Sequence, residues 1–265
     1  MSLTSRRVID GIKGKVGGYF RLPSPPFGLS SFWNSVFRDC DPSTVVEWGD
    51  LTLGKDLMEY DYRLRSINDN SLTETARTTF AQTIGVYPNE DGRSIMILGS
   101  GYSRLGEDMA SQGWKGIVQV DVVSKAILDL SKRCTSWDKT VMQCVEDDAS
   151  VLSAFDSETM GAVIDKGLMD ALFLGDEHAK MRDIMRSTHR VLRPNGTVCI
   201  FSFSQPAYLL PTLMPNDLRE DPHRRWHSVE VQQLDTALLY RFRKSQRTES
   251  IKVTTHPFIK KRKHR

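Results

Sequence analysis

Three groups of residues have the types and spacing to do chemistry. The first is Ile95-Met96-Ile97-Leu98-Gly99-Ser100-Gly101-Tyr102-Ser103, an apolar run that opens through two glycines toward a helical stretch. Glycines in such a turn adopt left-handed backbone angles and let a ligand approach the amides at a helix N-terminus. Standing alone, the pattern is equally a plain strand-to-helix turn. The second is Asp121, which ends the next apolar run 22 positions after Gly99. A carboxylate there can accept both ribose hydroxyls of an adenosine, or it can cap the helix that follows, a role for which Ser124 competes. The third is Glu146-Asp147-Asp148-Ala149, which either offers an acceptor to an adenine amino group or is a solvated acidic loop.

The glycine spacing discriminates between adenosine-bearing ligands. A dinucleotide fingerprint needs G-x-G-x-x-G, and the third glycine here, Gly106, comes two positions too late. That disfavours NAD, whose pyrophosphate needs a bare helix N-terminus. A methionine tail with its own ammonium and carboxylate can use a looser turn with a polar side chain such as Ser103.

These residues need a sheet to align them. Short apolar or β-branched runs at 94–99, 117–122, 140–145, 161–165 and 197–203 alternate with helical stretches at about 103–113, 124–134 and 176–192. That alternation predicts βαβ units on a parallel sheet. The last helix should stop at Arg193-Pro194-Asn195-Gly196, because proline cannot continue a helix and glycine favours its end. Residues 227–234 and 237–244 alternate apolar and polar across a two-residue turn, the pattern of an antiparallel hairpin that closes the sheet.

The chain has 265 residues, 39% hydrophobic and 26% charged, values of an ordinary globular protein. No run approaches the roughly 18 apolar residues of a membrane helix. Cys40, Cys134, Cys144 and Cys199 form no C-x-x-C pair and His178, His189, His223 and His227 show no ligand spacing, so neither a metal site nor a disulfide framework is expected and a reducing compartment is. The net charge of +3 is uneven: residues 1–30 carry five Lys/Arg and one acid, residues 241–265 ten and one, leaving 31–240 at −10. The acidic middle suits a cationic partner, while the basic ends, including Lys260 to Arg265, leave open a nucleic-acid contact. Gly11, Gly14, Gly17, Gly18, Pro23, Pro25 and Pro26 argue for an extension over 1–30. The expected organisation is therefore an extension (1–30), a domain (31–245) and a basic tail (246–265), in a cytoplasmic protein or, with 1–30 as a leader, an organellar one.

At this point the residues resemble a known family, the class I (seven-β-strand) S-adenosylmethionine-dependent methyltransferases. The stretches Ile97 to Ser103, Val163-Ile164-Asp165-Lys166-Gly167-Leu168-Met169-Asp170-Ala171-Leu172 and Arg190 to Thr197 look like the branch containing the elongation factor 1-alpha lysine methyltransferases. Phe32-Trp33-Asn34 and Glu47-Trp48-Gly49-Asp50 resemble the segments that cover the cofactor there. Two positions depart from the family's usual pattern, which has Asn at Tyr102 and Thr at Leu168, and the stretch 50–93 is longer than its usual connection. The resemblance implies a Rossmann-like α/β fold with a mostly parallel seven-stranded sheet, its last strand antiparallel, and helices on both faces. It implies S-adenosyl-L-methionine as cofactor, held by Trp33, Trp48, Gly99, Ser100, Gly101, Tyr102, Ser103, Asp121, Val122, Asp148, Ala149, Asp165 and Lys166. It makes Asp165 the catalytic residue, orienting an acceptor amine, with a protein lysine as acceptor. Asp170 is expected to cap the helix that starts near Leu168, and Phe201, Phe203 and Tyr208 either line the acceptor channel or belong to the core. Transfer to RNA or a small molecule, an NAD-linked oxidoreductase and a non-catalytic cofactor-binding scaffold are the other readings.

Overall fold

A computed structural model describes residues 25–38, 40, 41, 43, 47, 48, 62–63, 77–78, 80–88, 92–214, 226–234, 237–246 and 252–255. The expected extension at 1–24, Gly49-Asp50, most of 50–93 and the basic run 256–265 lie outside the described residues.

The five alternating runs form parallel strands: β1 (Ser94–Leu98), β2 (Ile117–Asp121), β3 (Met142–Glu146), β4 (Met160–Lys166) and β5 (Leu192–Ser202). Between them lie α3 (Leu105–Ser111), α4 (Ser124–Arg133), α5 (Leu168–Leu174) and α6 (His178–Val191). Among the described residues two helices precede β1, α1 (Ser30–Arg38) and α2 (Phe80–Ile84), and α7 (Pro206–Leu213) follows β5. The hairpin is β6 (Trp226–Gln233) and β7 (Leu238–Lys244), and Lys252–Thr255 forms a further strand, β8, inside the segment expected to be a tail. A separate two-residue ladder pairs Tyr62–Arg63 with Arg77–Thr78.

The sheet order is β8-β6-β7-β5-β4-β1-β2-β3. Seven strands fall where the alternation puts them, and β7, the last of those seven, is antiparallel to both its neighbours, β5 and β6. The eighth strand adds to that set by pairing parallel with β6. Helix α6 stops at Val191 as the Pro-Gly signal requires, but β5 starts earlier than expected, at Leu192. Leu192 pairs with Met160 and Thr197 with Ala162, so Arg193 to Gly196 bulge between two registered pairs, with Asn195 in the left-handed region.

Strands buried on both faces read as continuous apolar runs. Met96 and Leu98 pack into one core with Val118, Val120 and Val163. Ile95 and Ile97 pack on the other face with Ile117, Ala162 and Ile164. Register does the positioning: Leu98 lies beside Asp165, and Asp121 beside Glu146. The turn after β1, the acid ending β2, the acidic loop after β3 and the turn after β4 therefore share the carboxyl edge of the sheet, where open α/β sheets bind ligands.

Candidate functional site

Gly99 and Gly101 have φ of +57° and +49°, the left-handed angles that side chains resist. A Cβ on Gly99 would sit 2.9 Å from Leu168 Cβ, so this turn also needs glycine to admit α5. The turn is pinned from beneath. The Ser100 hydroxyl donates to the carbonyls of Ile97 (3.1 Å) and Val120 (3.2 Å). Gly101 N–H donates to Asp121 Oδ2 at 2.8 Å, and Val123 N–H to Oδ1 at 2.9 Å. Asp121 thus ties the glycine turn to the start of α4. Burial pushes its carboxyl upward, opposed by the N–H groups of Val123, Gly101 and Val122.

The late third glycine has a packing role. A Cβ on Gly106 would lie 2.6 Å from the Gln119 amide carbon, so its position in α3 lets that helix close onto β2.

The carboxyl edge opens into a cleft with about 870 Å³ of empty space, the open solvent at its mouth included. Trp33, Trp48, Gly99, Ser100, Gly101, Tyr102, Ser103, Asp121, Val122, Asp148, Ala149 and Lys166 all line it. Phe37, Asp147, Gly167, Leu168, Ala171, Lys180 and Ile184, outside the expected set, line it too. Trp33 and Trp48 are both packed and exposed to the cleft. Trp33 donates its indole N–H to the Phe27 carbonyl at 2.6 Å and stacks on Phe37. Phe37 in turn stacks on Tyr102 with centroids 4.7 Å apart. Tyr102 donates its hydroxyl to Asp129 at 2.5 Å, and burial, then Asp129, pushes its phenol upward. In the acidic loop, Asp148 accepts from Ser150 N–H (2.8 Å) and hydroxyl (2.7 Å) and pairs with Lys180 at 3.3 Å. Partial burial works to raise its carboxyl, and the Ser150 donors and Lys180 hold it below the ordinary range.

The turn after β4 is built differently. Asp165 is 1% exposed and is absent from the cleft lining. Its carboxyl accepts from Gly167 N–H at 3.1 Å and Met169 N–H at 3.0 Å. The capping role expected of Asp170 therefore belongs to Asp165, since Asp165 ends the strand and faces the free N–H groups of α5. Burial, and then the neighbouring Asp170, pushes Asp165 up to about 8. Asp170 turns instead toward the end of β5, accepting from the Ser202 hydroxyl, Phe203 N–H (3.0 Å), the Ser204 hydroxyl (3.3 Å) and the Trp48 indole (3.0 Å). Trp48 lies across Gly167, whose φ is +108° and whose Cβ would be 2.4 Å from the indole. Of the three aromatics weighed for the acceptor channel, Phe201 is buried in the core, while Phe203 and Tyr208 are exposed.

Lys166 forms an ion pair with Glu47 that is buried, its side chain only 3% exposed. Glu47 also accepts the Ser103 hydroxyl at 2.9 Å and Arg104 N–H at 2.8 Å. It bridges the turns after β1 and β4, which the sequence reading noticed only as part of the Glu47-Trp48 pair. Among the described residues no group of three or more His, Cys, Asp or Glu is placed to hold a metal ion, and no helix is long and apolar enough to cross a membrane.

Residues 96–200 match the family described as Methyltransferase domain. The chain is similar to the eEF1A lysine and N-terminal methyltransferase of Homo sapiens, 26% identical over 138 residues, 51% of this chain and 19% of that protein. It is also similar to the Drosophila melanogaster homolog of that enzyme, 30% identical over 108 residues, 38% of this chain and 15% of that protein. The chain thus spans about a fifth or less of the length of these curated relatives. Among solved structures, a TehB-like SAM-dependent methyltransferase from Corynebacterium glutamicum aligns with a TM-score of 0.43 at 15% identity, over 59% of this chain and 82% of that one.

Proposed function

We propose that this chain is a class I S-adenosyl-L-methionine-dependent methyltransferase and that it methylates a lysine side chain of a protein. The observation that carries the cofactor half of this reading is the convergence on one cleft of the Gly99–Ser103 turn, Asp121 and the Asp147–Ala149 loop. The residues fit the group: Asp121 keeps lone pairs for a ribose, Val122 and Ala149 offer apolar walls to a flat base, and the Gly99–Ser103 turn lines the cleft where an amino-acid tail would lie. When bound, S-adenosyl-L-methionine supplies a methyl group on a positively charged sulfur, an activated leaving group.

The chain's own contribution is alignment and exclusion of water. Trp48 covers the turn after β4 and Asp165 fixes that turn through two backbone N–H groups. Asp165 is in this reading a positioning residue, replacing the direct contact with the acceptor amine expected from the resemblance, because its carboxyl is buried outside the cleft lining. A lysine acceptor must shed its proton from an ordinary pKa of about 10.4, and burial against Trp48 favours the neutral amine. The lysine acceptor is supported by the lysine methyltransferase activity for which the related proteins are named and by the −10 charge of residues 31–240.

Thermal unfolding with S-adenosylhomocysteine and, separately, NAD tests the cofactor. A ligand at 100 times its Kd adds about 2.7 kcal/mol, and only the homocysteine compound is expected to raise the midpoint. Methyl-labelled lysate protein, hydrolysed to amino acids, should then yield methyl-lysine. Label in RNA or small molecules alone would overturn the acceptor.

A further inference from the structure

We infer that Glu47 sets the charge selectivity of the cleft, making it prefer the positively charged sulfonium donor over the neutral demethylated product. The inference rests on the cofactor reading above and goes beyond it to a residue from outside the βα units.

Lys166 ends β4 and lines the cleft with its ammonium almost fully out of solvent. A buried cation there repels a second cation, and the repulsion is stronger than at the surface because the surroundings screen it less. Glu47 cancels it. One carboxylate oxygen, Oε2, accepts from Lys166 and from the Ser103 hydroxyl; the other accepts from Arg104 N–H at 2.8 Å. Three donors from two different turns fix the anion against the cation, so the pair enters the cleft wall as a neutral unit. Other charged groups on this side include Arg104, Glu107 and Asp108 on or beside α3, with Asp108 feeling both members of the pair, and Arg133 of α4, which pairs with Glu107 and donates to the Ser103 carbonyl. They are common to donor and product binding and are left unchanged in the comparison below.

Donor and product share the adenosine and the amino-acid tail and differ by one methyl group and one positive charge. Damage to shape or folding weakens both; a change in wall charge weakens one. The experiment is calorimetric titration of the full chain and its variants with S-adenosylmethionine and S-adenosylhomocysteine, with circular dichroism as the folding control. Glu47→Gln keeps the shape and removes the charge. It is expected to lower the affinity for the donor relative to the product on the order of tenfold, the scale of one charge change at a protein-like dielectric. Lys166→Met should shift the ratio the opposite way, and the double variant should return it to the wild-type value. Equal losses for both compounds in Glu47→Gln, or an unchanged ratio, would overturn the inference. So would an equal loss for both in Lys166→Met, which would assign that ammonium to the ligand carboxylate. If Glu47→Gln fails to fold, Lys166→Met decides. Wild-type chain that binds neither compound would instead remove the cofactor reading itself.

Discussion

The two turns that face each other across the cleft are held by different means. The base of the turn after β1 is fixed within its own βαβ unit, Gly101 N–H to Asp121 and Ser100 to Val120, residues 20 apart in sequence, and only its far end, Tyr102 to Arg104, meets Phe37 and Glu47. The turn after β4 combines a local cap from Asp165 with contacts to residues far away, Trp48 to Asp170 across 122 positions and Glu47 to Lys166 across 119. The first comes with the βαβ unit. The second is complete only when the N-terminal segment and the end of β5 have docked, so it should be the more sensitive to loss of single side chains.

The largest effect is expected from Asp170→Ala, which strips acceptors from Trp48, Ser202 and Phe203 at once and leaves buried donors unpaired. The loss should be roughly 3 kcal/mol, read by denaturant unfolding. A loss under about 1 kcal/mol would mean that the distant contacts matter little. Next comes Gly167→Ala, where the φ of +108° and the contact with Trp48 both oppose a side chain. It should cost about 2 kcal/mol and raise the fluorescence quenching of Trp48 by solvent solutes. Asp121→Asn replaces an acceptor facing Gly101 N–H with a donor, and should weaken S-adenosylhomocysteine binding about tenfold, near 1.4 kcal/mol, while leaving the Trp48 side undisturbed.

The last prediction turns on pH and concerns Asp165. Its folded carboxyl lies at about 8 against an ordinary 3.8. Below the ordinary value both folded and unfolded chains hold the proton and no penalty exists. Between the two values only the folded chain holds it, so stability falls as pH rises, by at most about 1.4 kcal/mol per unit; above about 8 the full penalty is present. Asp165→Asn should flatten this slope, losing ground to wild type at pH 5 and regaining it toward pH 8. Parallel stability curves for the two proteins would exclude the shift. Asp121, whose carboxyl burial also raises, should contribute a slope of the same sign, which Asp121→Asn removes.

Legibility followed the same division. The five parallel strands and the hairpin were readable because strands buried on both faces are continuous apolar runs and because Pro194-Asn195-Gly196 stops a helix. The donor-side residues were readable because glycine turn, strand-end acid and acidic loop sit at fixed offsets from those strands. The cap expected of Asp170 comes from Asp165, since both are acids near a helix start and only three-dimensional contacts decide which faces the free N–H groups. Glu47 carries no periodic signal, and its partners lie 56 to 119 residues away. Lys180 reaches the cleft from α6 through Asp148, a pairing between elements that no spacing rule encodes. Strand β8 is short and follows a polar stretch, so composition alone reads it as tail.

The position of β7 has a consequence for biogenesis. It lies between β5 and β6 although it is made after both. As a nascent chain emerges, the long apolar β5 therefore presents an unpaired edge until Lys244 has been synthesised, and β6 has no seat in the sheet before then. An open edge of this kind pairs readily with other chains. Premature termination between Gln233 and Leu238 should thus yield a product that carries every residue of the cleft named above and yet partitions into aggregates.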